Sequence, residues 1–149
     1  MLDESMVIRA NLCLHKARED YNTAKFNLKK EFYGATNDRA YFCMYHAARA
    51  LSVLDGLDLR GSCSIMSHFS FEYVHEEAYF DSRFYDMMET ALQSRDDSNY
   101  NDCHIETRGE ALRNTENAGI FLSEMENFVA RKVRLFYTPP VVFDPDDED

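Results

Sequence analysis

An arginine and a histidine lie seven positions apart in a stretch of the sequence that is otherwise largely apolar. The stretch reads "NDRAYFCMYHAARAL", residues 37–51, and the two residues are Arg39 and His46. In an α-helix, residues seven apart differ by only about 20° around the axis, so both side chains share one face. Another arginine–histidine pair, Arg9 and His15, differs by about 240° and cannot share a face. Helical geometry therefore selects Arg39 with His46.

These two residue types can cleave an RNA backbone without a metal ion. Attack by the 2′-OH on its own phosphate requires a base for that hydroxyl, an acid for the departing 5′-oxygen and positive charge for the developing phosphorane. Histidine can serve as base or acid because its ordinary pKa is about 6.5. Arginine stays charged and can bind two phosphate oxygens at once. The residues leave a plainer alternative open, in which His46 bonds a core carbonyl or carboxylate and Arg39 pairs with an acid at the helix start.

The helix that carries this pair is apolar on both sides, which predicts that both sides are covered. We expect one side to fill the core of a helical bundle, through Tyr41, Met44, Tyr45, Ala48 and Leu51. We expect the Arg39 and His46 side to meet a second copy in a homodimer, together with Cys43, Ala50 and Val53. Two copies would bring two arginines and two histidines into one cleft. Arg49 would border that cleft as a candidate substrate-binding residue, although an ordinary ion pair explains it equally well.

The elements that must position this pair are predicted to be helices. The 149 residues include only five Gly and three Pro, and scarce breakers favour helices over strands. Apolar residues at helical spacing predict one long helix from residue 2 to 33, which ends at Gly34. A second helix is predicted to begin at an N-cap and to stop at Gly56 after about Asp55, with the N-cap chosen from Thr36, Asn37 and Asp38.

The rest of the chain predicts shorter helices and two loops. "IMSHFSFEYVHEEA" and "DSRFYDMMETALQSR" each predict a helix, and "DDSNYNDCHIE" predicts a loop. Thr107 and Glu110 form a capping-box pattern at the start of a last helix that reaches about Phe136. The fold class is therefore predicted to be all-α, an up-and-down antiparallel bundle of four to five helices over residues 1–136. Residues 137–149 are expected to form an acidic, disordered tail.

Charge and cysteine usage limit the possible functions. The net charge is −11, which argues against nucleic-acid binding through a broad basic surface and against a DNA partner. Four cysteines without a CxxC pair predict reduced thiols and a cytoplasmic location. Neither Cys63 with His68 and His75 nor Cys103 with His104 has metal-ligand spacing, so we expect no metal and no cofactor. No apolar run approaches the roughly 20 residues that span a bilayer, so no membrane partner is expected.

The stretch "DRAYFCMYHAARAL" resembles the central helix of the HEPN superfamily, in the branch whose members read close to "SRAYYAMFHAARALL". The resemblance covers about residues 5 to 134. A long first helix leads in, a loop and helix containing "SHFSFEYV" follow, and "SRDDSNY" is similar to the Arg-Asp-Tyr element that precedes the last helix. Only the acidic tail is left out.

This resemblance implies a helical bundle that pairs through its central helix. Many HEPN members are metal-independent endoribonucleases, often toxins of toxin–antitoxin or antiviral systems, and others are non-catalytic partners of a nucleotidyltransferase. Arg39 and His46 match the catalytic pair, and Arg95, Asp97 and Tyr100 match the downstream element near the same cleft. The resemblance therefore implies RNA as substrate, Arg95 and Tyr100 as substrate-binding residues, and a possible cognate nucleotidyltransferase-type antitoxin.

Two positions depart from the family pattern. Ribonuclease members usually carry Asn, Asp or His directly after the arginine, where this sequence has Ala40. Toxins that are inactivated by nucleotidylation carry a tyrosine two residues after the histidine, where this sequence has Ala48. Two functions therefore stay open. One is an endoribonuclease that leaves 2′,3′-cyclic phosphate ends, and the other is a non-catalytic module that binds a nucleotide or a nucleotidyltransferase.

Overall fold

The computed structural model describes residues 2–136, and within them the chain forms five α-helices and no strand. The helices are α1 (Glu4–Lys29), α2 (Tyr33–Leu54), α3 (Ser62–His68), α4 (Arg83–Tyr100) and α5 (Arg108–Phe136), and a π-helical segment, Phe69–Glu76, continues directly from α3. Helix α2 is central and packs against α1, α4 and α5. The all-α bundle prediction is confirmed, and the predicted acidic tail lies outside the described residues. No helix of residues 2–136 combines the length and the apolar character needed to cross a membrane.

Small side chains let α1 and α5 approach their neighbours closely. Helix α1 buries Ala10, Cys13, Ala17 and Ala24, a spacing of three, four and seven that places them on one face. At Gly119 of α5, an added Cβ would lie 2.7 Å from the hydroxyl oxygen of Tyr21. Gly119 therefore makes room for the Tyr21 side chain between α1 and α5.

The predicted junction between the first two helices is wrong by several residues. Helix α1 ends at Lys29 rather than at Gly34, and the chain turns through Glu31, whose φ is +65°. Helix α2 then begins at Tyr33, which places Gly34 inside its first turn. A Cβ at Gly34 would lie 3.2 Å from a carboxylate oxygen of Glu106. Close packing against the α4–α5 loop, rather than a helix stop, thus accounts for this glycine.

The three predicted N-cap residues of α2 also lie inside the helix. Thr36 and Asn37 are fully buried, and the Thr36 hydroxyl donates to the carbonyl of Phe32 at 2.8 Å. The Asn37 amide nitrogen donates to Glu110 Oε1 at 2.7 Å, and Asn114 donates to Asn37 Oδ1 at 3.1 Å. Asn37 therefore joins α2 to α5, and Thr36 bonds the backbone one turn back, so neither side chain caps the helix.

Two other predicted boundaries are confirmed. Helix α2 ends at Leu54, and Gly56 follows with a φ of +78°, the left-handed conformation that favours glycine after a helix. The backbone N–H of Glu110 donates to Thr107 Oγ1 at 3.2 Å, as a capping box requires. The Glu110 carboxylate instead pairs with His104 at 3.2 Å and with Asn37.

The predicted loop that begins at Asp96 is wrong in its first half, because α4 continues to Tyr100. Side chains of this last part of α4 contact the start of α2. Arg95 Nε lies 3.5 Å from Asp38 Oδ1, and Asn99 donates to the same oxygen at 3.4 Å. These tertiary contacts stabilise a helix that the polar composition alone disfavours.

The predicted dimer face of α2 is mostly buried inside its own bundle. Cys43, Ala50 and Val53 are at most 1% exposed, and the Cys43 thiol donates to the carbonyl of Ala118 on α5 at 3.8 Å. Tyr45, predicted in the core, is instead partly exposed. The partly exposed residues from Arg39 to His46 form a narrow band that we call the α2 strip: Arg39, Phe42, Tyr45 and His46.

Candidate active site

Arg39 and His46 are joined by a carboxylate from the neighbouring helix α1. Arg39 Nη1 donates to Asp20 Oδ1 at 3.0 Å, and His46 Nε2 lies 3.7 Å from Asp20 Oδ2. Arg39 Nη2 also donates to Asp38 Oδ2 at 2.7 Å. The side chains of Arg39 and His46 are 36% and 22% exposed. The structure thus brings the two predicted residues together on one accessible patch.

His46 is held in its neutral form at physiological pH. Burial, followed by the positive charges of Lys16, Arg49 and Arg39, lowers the pKa of His46 from 6.5 to about 4. Asp20 does not offset this shift, because 3.7 Å is too long for a hydrogen bond and Arg39 already engages its charge. The Nδ1 atom of His46 is buried and has no hydrogen-bond partner among residues 2–136. A neutral imidazole can accept a proton, which is the role of a general base.

The charged form of Asp20 is less stable here than in an ordinary, exposed aspartate. Burial raises the pKa of Asp20 above 3.8 and outweighs the opposing effect of Arg39. Burial also lowers the pKa of Arg39, but the Asp38 hydrogen bond and the two carboxylate charges reverse that effect. Arg39 therefore stays cationic, and Asp20 pairs with Arg39 rather than with His46.

Helix α4 adds a second arginine beside the first. The Arg95 guanidinium lies 5.1 Å from the ring centre of Phe42, and the Arg39 guanidinium lies 5.0 Å from the same ring. Both arginines pair with Asp38. Phe42 thus contacts two cations, and guanidinium groups of this kind can bind phosphate oxygens. The structure places the predicted substrate-binding residue Arg95 at this site.

The other two predicted substrate-binding residues lie elsewhere. Tyr100 is 74% exposed at the end of α4 and makes no hydrogen bond to Arg39, His46 or Arg95. Arg49 is 9% exposed and turns toward the α2–α3 loop, where it donates to the carbonyl of Leu59 at 3.3 Å. The ion-pair alternative for Arg49 is thus seen in the structure, with Asp58 at 3.2 Å.

Sequence reasoning missed Asp20, although the sequence holds a signal for it. The buried face of α1 contains Ala10, Cys13, Ala17 and Ala24. Asp20 lies on the same face, three residues after Ala17 and four before Ala24. A carboxylate on an otherwise small and apolar face needs a cationic partner on the facing helix. That partner is Arg39.

Comparison with known proteins shows the family of this chain. The HEPN domain family matches residues 10–129. The chain belongs to the HEPN family. No curated protein matches this HEPN chain. The match includes α2, α4 and most of α1 and α5, which together hold the candidate site.

Two solved structures share the HEPN fold of this chain. TT1696 from Thermus thermophilus is 21% identical, with a TM-score of 0.70, and the match covers 80% of this chain and 97% of that one. ST0689, described as an archaeal HEPN homologue, is 17% identical, with a TM-score of 0.59 and coverage of 81% and 98%. At these identities the likeness shows the fold alone.

Proposed function

We propose that this HEPN protein is a metal-independent endoribonuclease that acts as a homodimer, as the toxin of a toxin–antitoxin or antiviral system. The observation that carries the proposal is the Asp20 carboxylate, which lies 3.0 Å from Arg39 and 3.7 Å from His46 on one accessible patch. Arg39 supplies a cation and His46 a base, both of which are needed for attack by a 2′-OH on its own phosphate. Asp20 holds Arg39 beside His46.

The proposed reaction follows from these roles. His46 accepts the proton of the 2′-OH, the 2′-oxygen forms a bond to phosphorus, and the bond from phosphorus to the 5′-oxygen breaks. The departing 5′-oxygen takes the proton that His46 has accepted, and the products are a 2′,3′-cyclic phosphate and a 5′-OH. Arg39 balances the charge of the phosphorane, and Asp20 holds Arg39 beside His46. Because its pKa is about 4, His46 is neutral at pH 7 and able to accept the proton of the 2′-OH.

A second copy of the chain would complete this site. The α2 strip has two aromatic rings beside its charged groups, and the Tyr45 ring centre lies 5.2 Å from that of His46. Two strips that face each other across a two-fold axis would bury these rings and bring a second Arg39 and a second His46 into the same cleft. A monomeric mass in solution at micromolar concentration would contradict this composite site.

The test is cleavage of RNA by purified protein in EDTA. We expect the wild type to cleave, and His46→Ala and Arg39→Ala to lose about 100-fold or more of that activity. His15→Ala is the matched control, because the His15 side chain is 69% exposed, and it should cleave like the wild type. Equal activity in all four proteins, or none in the wild type, would contradict the proposal.

A second candidate function is a non-catalytic module that binds a nucleotide or a nucleotidyltransferase. It is favoured by Arg39, whose two terminal nitrogens both donate to carboxylates of the same chain. Ala40, which stands where ribonuclease members carry a polar residue, is fully buried. This candidate predicts that toxicity on expression, if present, persists in His46→Ala, whereas the ribonuclease proposal predicts that His46→Ala relieves it.

A further inference from the structure

A pocket with a basic rim lies between α1 and α2, beyond His46 along α2. Its volume is about 250 Å³, and its apolar lining consists of Leu12, Cys13 and Val53. Four cations surround this lining, two from α1, one from α2 and one from the loop before α3: Arg9, Lys16, Arg49 and Arg60. The chain as a whole carries a net charge of −11, so this concentration of positive charge is local.

The positive charge of the pocket is only partly neutralised. One carboxylate oxygen, Asp58 Oδ1, lies 3.2 Å from Arg49 Nη2, 3.3 Å from Arg60 Nε and 3.7 Å from Arg9 Nη2. Three guanidinium groups thus share one carboxylate, and the nearby Arg60 and Arg49 keep the pKa of Asp58 below its ordinary value. Lys16 has no ion pair with any residue in the range 2–136. An anion is therefore expected to bind here, because it would relieve the repulsion among the remaining cations.

The pocket lies next to the candidate active site along α2. Arg49 lies three positions after His46 on α2, which is about 4.5 Å along the axis and about 60° around it. The charges of Lys16 and Arg49 also contribute to the lowered pKa of His46. Two of the pocket cations therefore lie close enough to act on the imidazole, and a strand bound at Arg39 and His46 can extend toward the pocket.

We propose that Arg9, Lys16, Arg49 and Arg60 form a phosphate subsite that holds the single-stranded RNA substrate next to the scissile bond. This inference rests on the proposed ribonuclease function. Arg49 is fixed by Leu59 and Asp58, whereas the side chains of Arg9 and Arg60 are 47% and 71% exposed and are available to phosphate oxygens. Leu12 and Val53 offer an apolar surface for a ribose or a base edge.

The test measures binding of an RNA strand that cannot be cleaved. A fluorescent 2′-O-methyl 12-mer lacks the attacking hydroxyl, so its dissociation constant is independent of catalysis. We compare the wild type with the double variant Arg9→Gln/Arg60→Gln. The control is Arg83→Gln/Arg113→Gln, which removes the same charge from α4 and α5 at positions outside the pocket. Circular dichroism and thermal melting check that all three proteins are folded.

We expect the Arg9→Gln/Arg60→Gln protein to bind the 12-mer about 10-fold or more weakly. The slope of log affinity against log salt concentration should become shallower by about 1.4, the value for two lost phosphate contacts on a single strand. The control protein should change affinity by less than about 3-fold. Equal affinity in the double variant and the control would overturn the subsite, as would a wild type that does not bind the 12-mer at micromolar concentration.

Two further outcomes separate this inference from the proposed function. A wild type that cleaves RNA while Arg9→Gln/Arg60→Gln binds the 12-mer normally would overturn the subsite and leave the ribonuclease proposal standing. A wild type that never cleaves but loses 12-mer affinity on the double substitution would support the subsite and contradict the ribonuclease.

ATP serves as the competing probe. Micromolar ATP that displaces the 12-mer completely from the wild type would assign the pocket to a free nucleotide and overturn its assignment to a strand.

Discussion

The described part of the chain contains two aspartate–histidine pairs that differ in what surrounds them. In the first, His46 Nε2 lies 3.7 Å from Asp20, and in the second, His68 Nε2 lies 2.9 Å from Asp55 and donates a hydrogen bond to it. In both histidines Nδ1 is buried without a hydrogen-bond partner among residues 2–136. The two pairs thus differ at Nε2, the atom that faces the carboxylate.

Asp55 belongs to a closed hydrogen-bond cluster. It also accepts from the Tyr73 hydroxyl at 2.8 Å and from Lys132 Nζ at 3.1 Å. Burial raises the pKa of Asp55, but these three hydrogen bonds outweigh it, and the pKa is lowered. The pKa of Asp20 moves in the opposite direction. The Asp55 cluster joins the end of α2, the π-helical segment and α5, and both of its carboxylate oxygens are used within the fold.

Residue types alone do not decide the role of such a pair. Asp55 has enough donors to be stable as a carboxylate and holds His68 in place. Asp20 is committed to Arg39 and leaves His46 neutral and able to take a proton. A site for proton transfer needs a group that can still take a proton. A structural cluster is more stable when each polar atom already has a partner.

The largest expected difference between the pairs is in catalysis. His46→Asn should reduce cleavage of an RNA oligonucleotide by about 10²- to 10⁴-fold, because it removes the general base. His68→Asn should change the rate by less than about 3-fold in protein that remains folded. A gel or fluorescence assay at pH 7.5 in EDTA measures both rates, and a melting curve reports the folded fraction. Similar losses in the two variants would show that the pairs share a role.

The next largest difference is in stability. Asp55→Asn should lower the free energy of unfolding by about 2–3 kcal/mol, because it replaces a carboxylate that accepts three hydrogen bonds. Asp20→Asn should change it by less than about 1 kcal/mol, because burial already disfavours the charged form and Arg39 keeps Asp38 as a partner. Urea unfolding at pH 7 measures both values. An Asp20 variant as unstable as the Asp55 variant would contradict the comparison.

His46 should also give the protein a pH-dependent stability. Its pKa is about 4 in the folded chain and 6.5 ordinarily, so between these values the unfolded chain binds the additional proton. Stability should therefore fall by about 2 kcal/mol as the pH falls from 6.5 to 4. Urea unfolding at pH 4.5 and pH 7 tests this, with His46→Asn expected to show a smaller fall. His15→Asn is the control and should behave like the wild type.

The smallest effect tests the link between Arg39 and the imidazole. Arg39→Gln removes one of the cations that lower the pKa of His46 and releases Asp20, so that pKa should rise by about one unit. An NMR titration of the imidazole resonances measures it. Arg83→Gln, at the start of α4, should leave it unchanged. A pKa that stays near 4 without Arg39 would show that burial, Lys16 and Arg49 set it without Arg39.

Helix periodicity predicted the long-range organisation correctly but failed at two polar segments. The end of α2 just before Gly56 could be predicted because glycine readily adopts the left-handed conformation that follows a helix. The residues from Thr36 to Asp38 and from Asp96 to Tyr100 look like a cap and a loop because their side chains can bond their own backbone. In the structure Asn37 bonds α5 instead, and Asn99 bonds Asp38 of α2 as well as the Arg95 carbonyl of its own helix. No local pattern contains the contacts between helices.

The sequence by itself determined that the chain is a helical HEPN bundle, through its family motif, and that Arg39 and His46 share a face, through a period of 3.6 residues per turn. Only the tertiary structure decided which carboxylate joins them, since Asp20 lies on another helix. It also decided the role of His68, because i to i+5 bonding in the π-helical segment brings the Tyr73 ring to 5.5 Å from the His68 ring, beside Asp55. Proton affinity depends on neighbours within a few ångströms, and those neighbours are set by packing between helices.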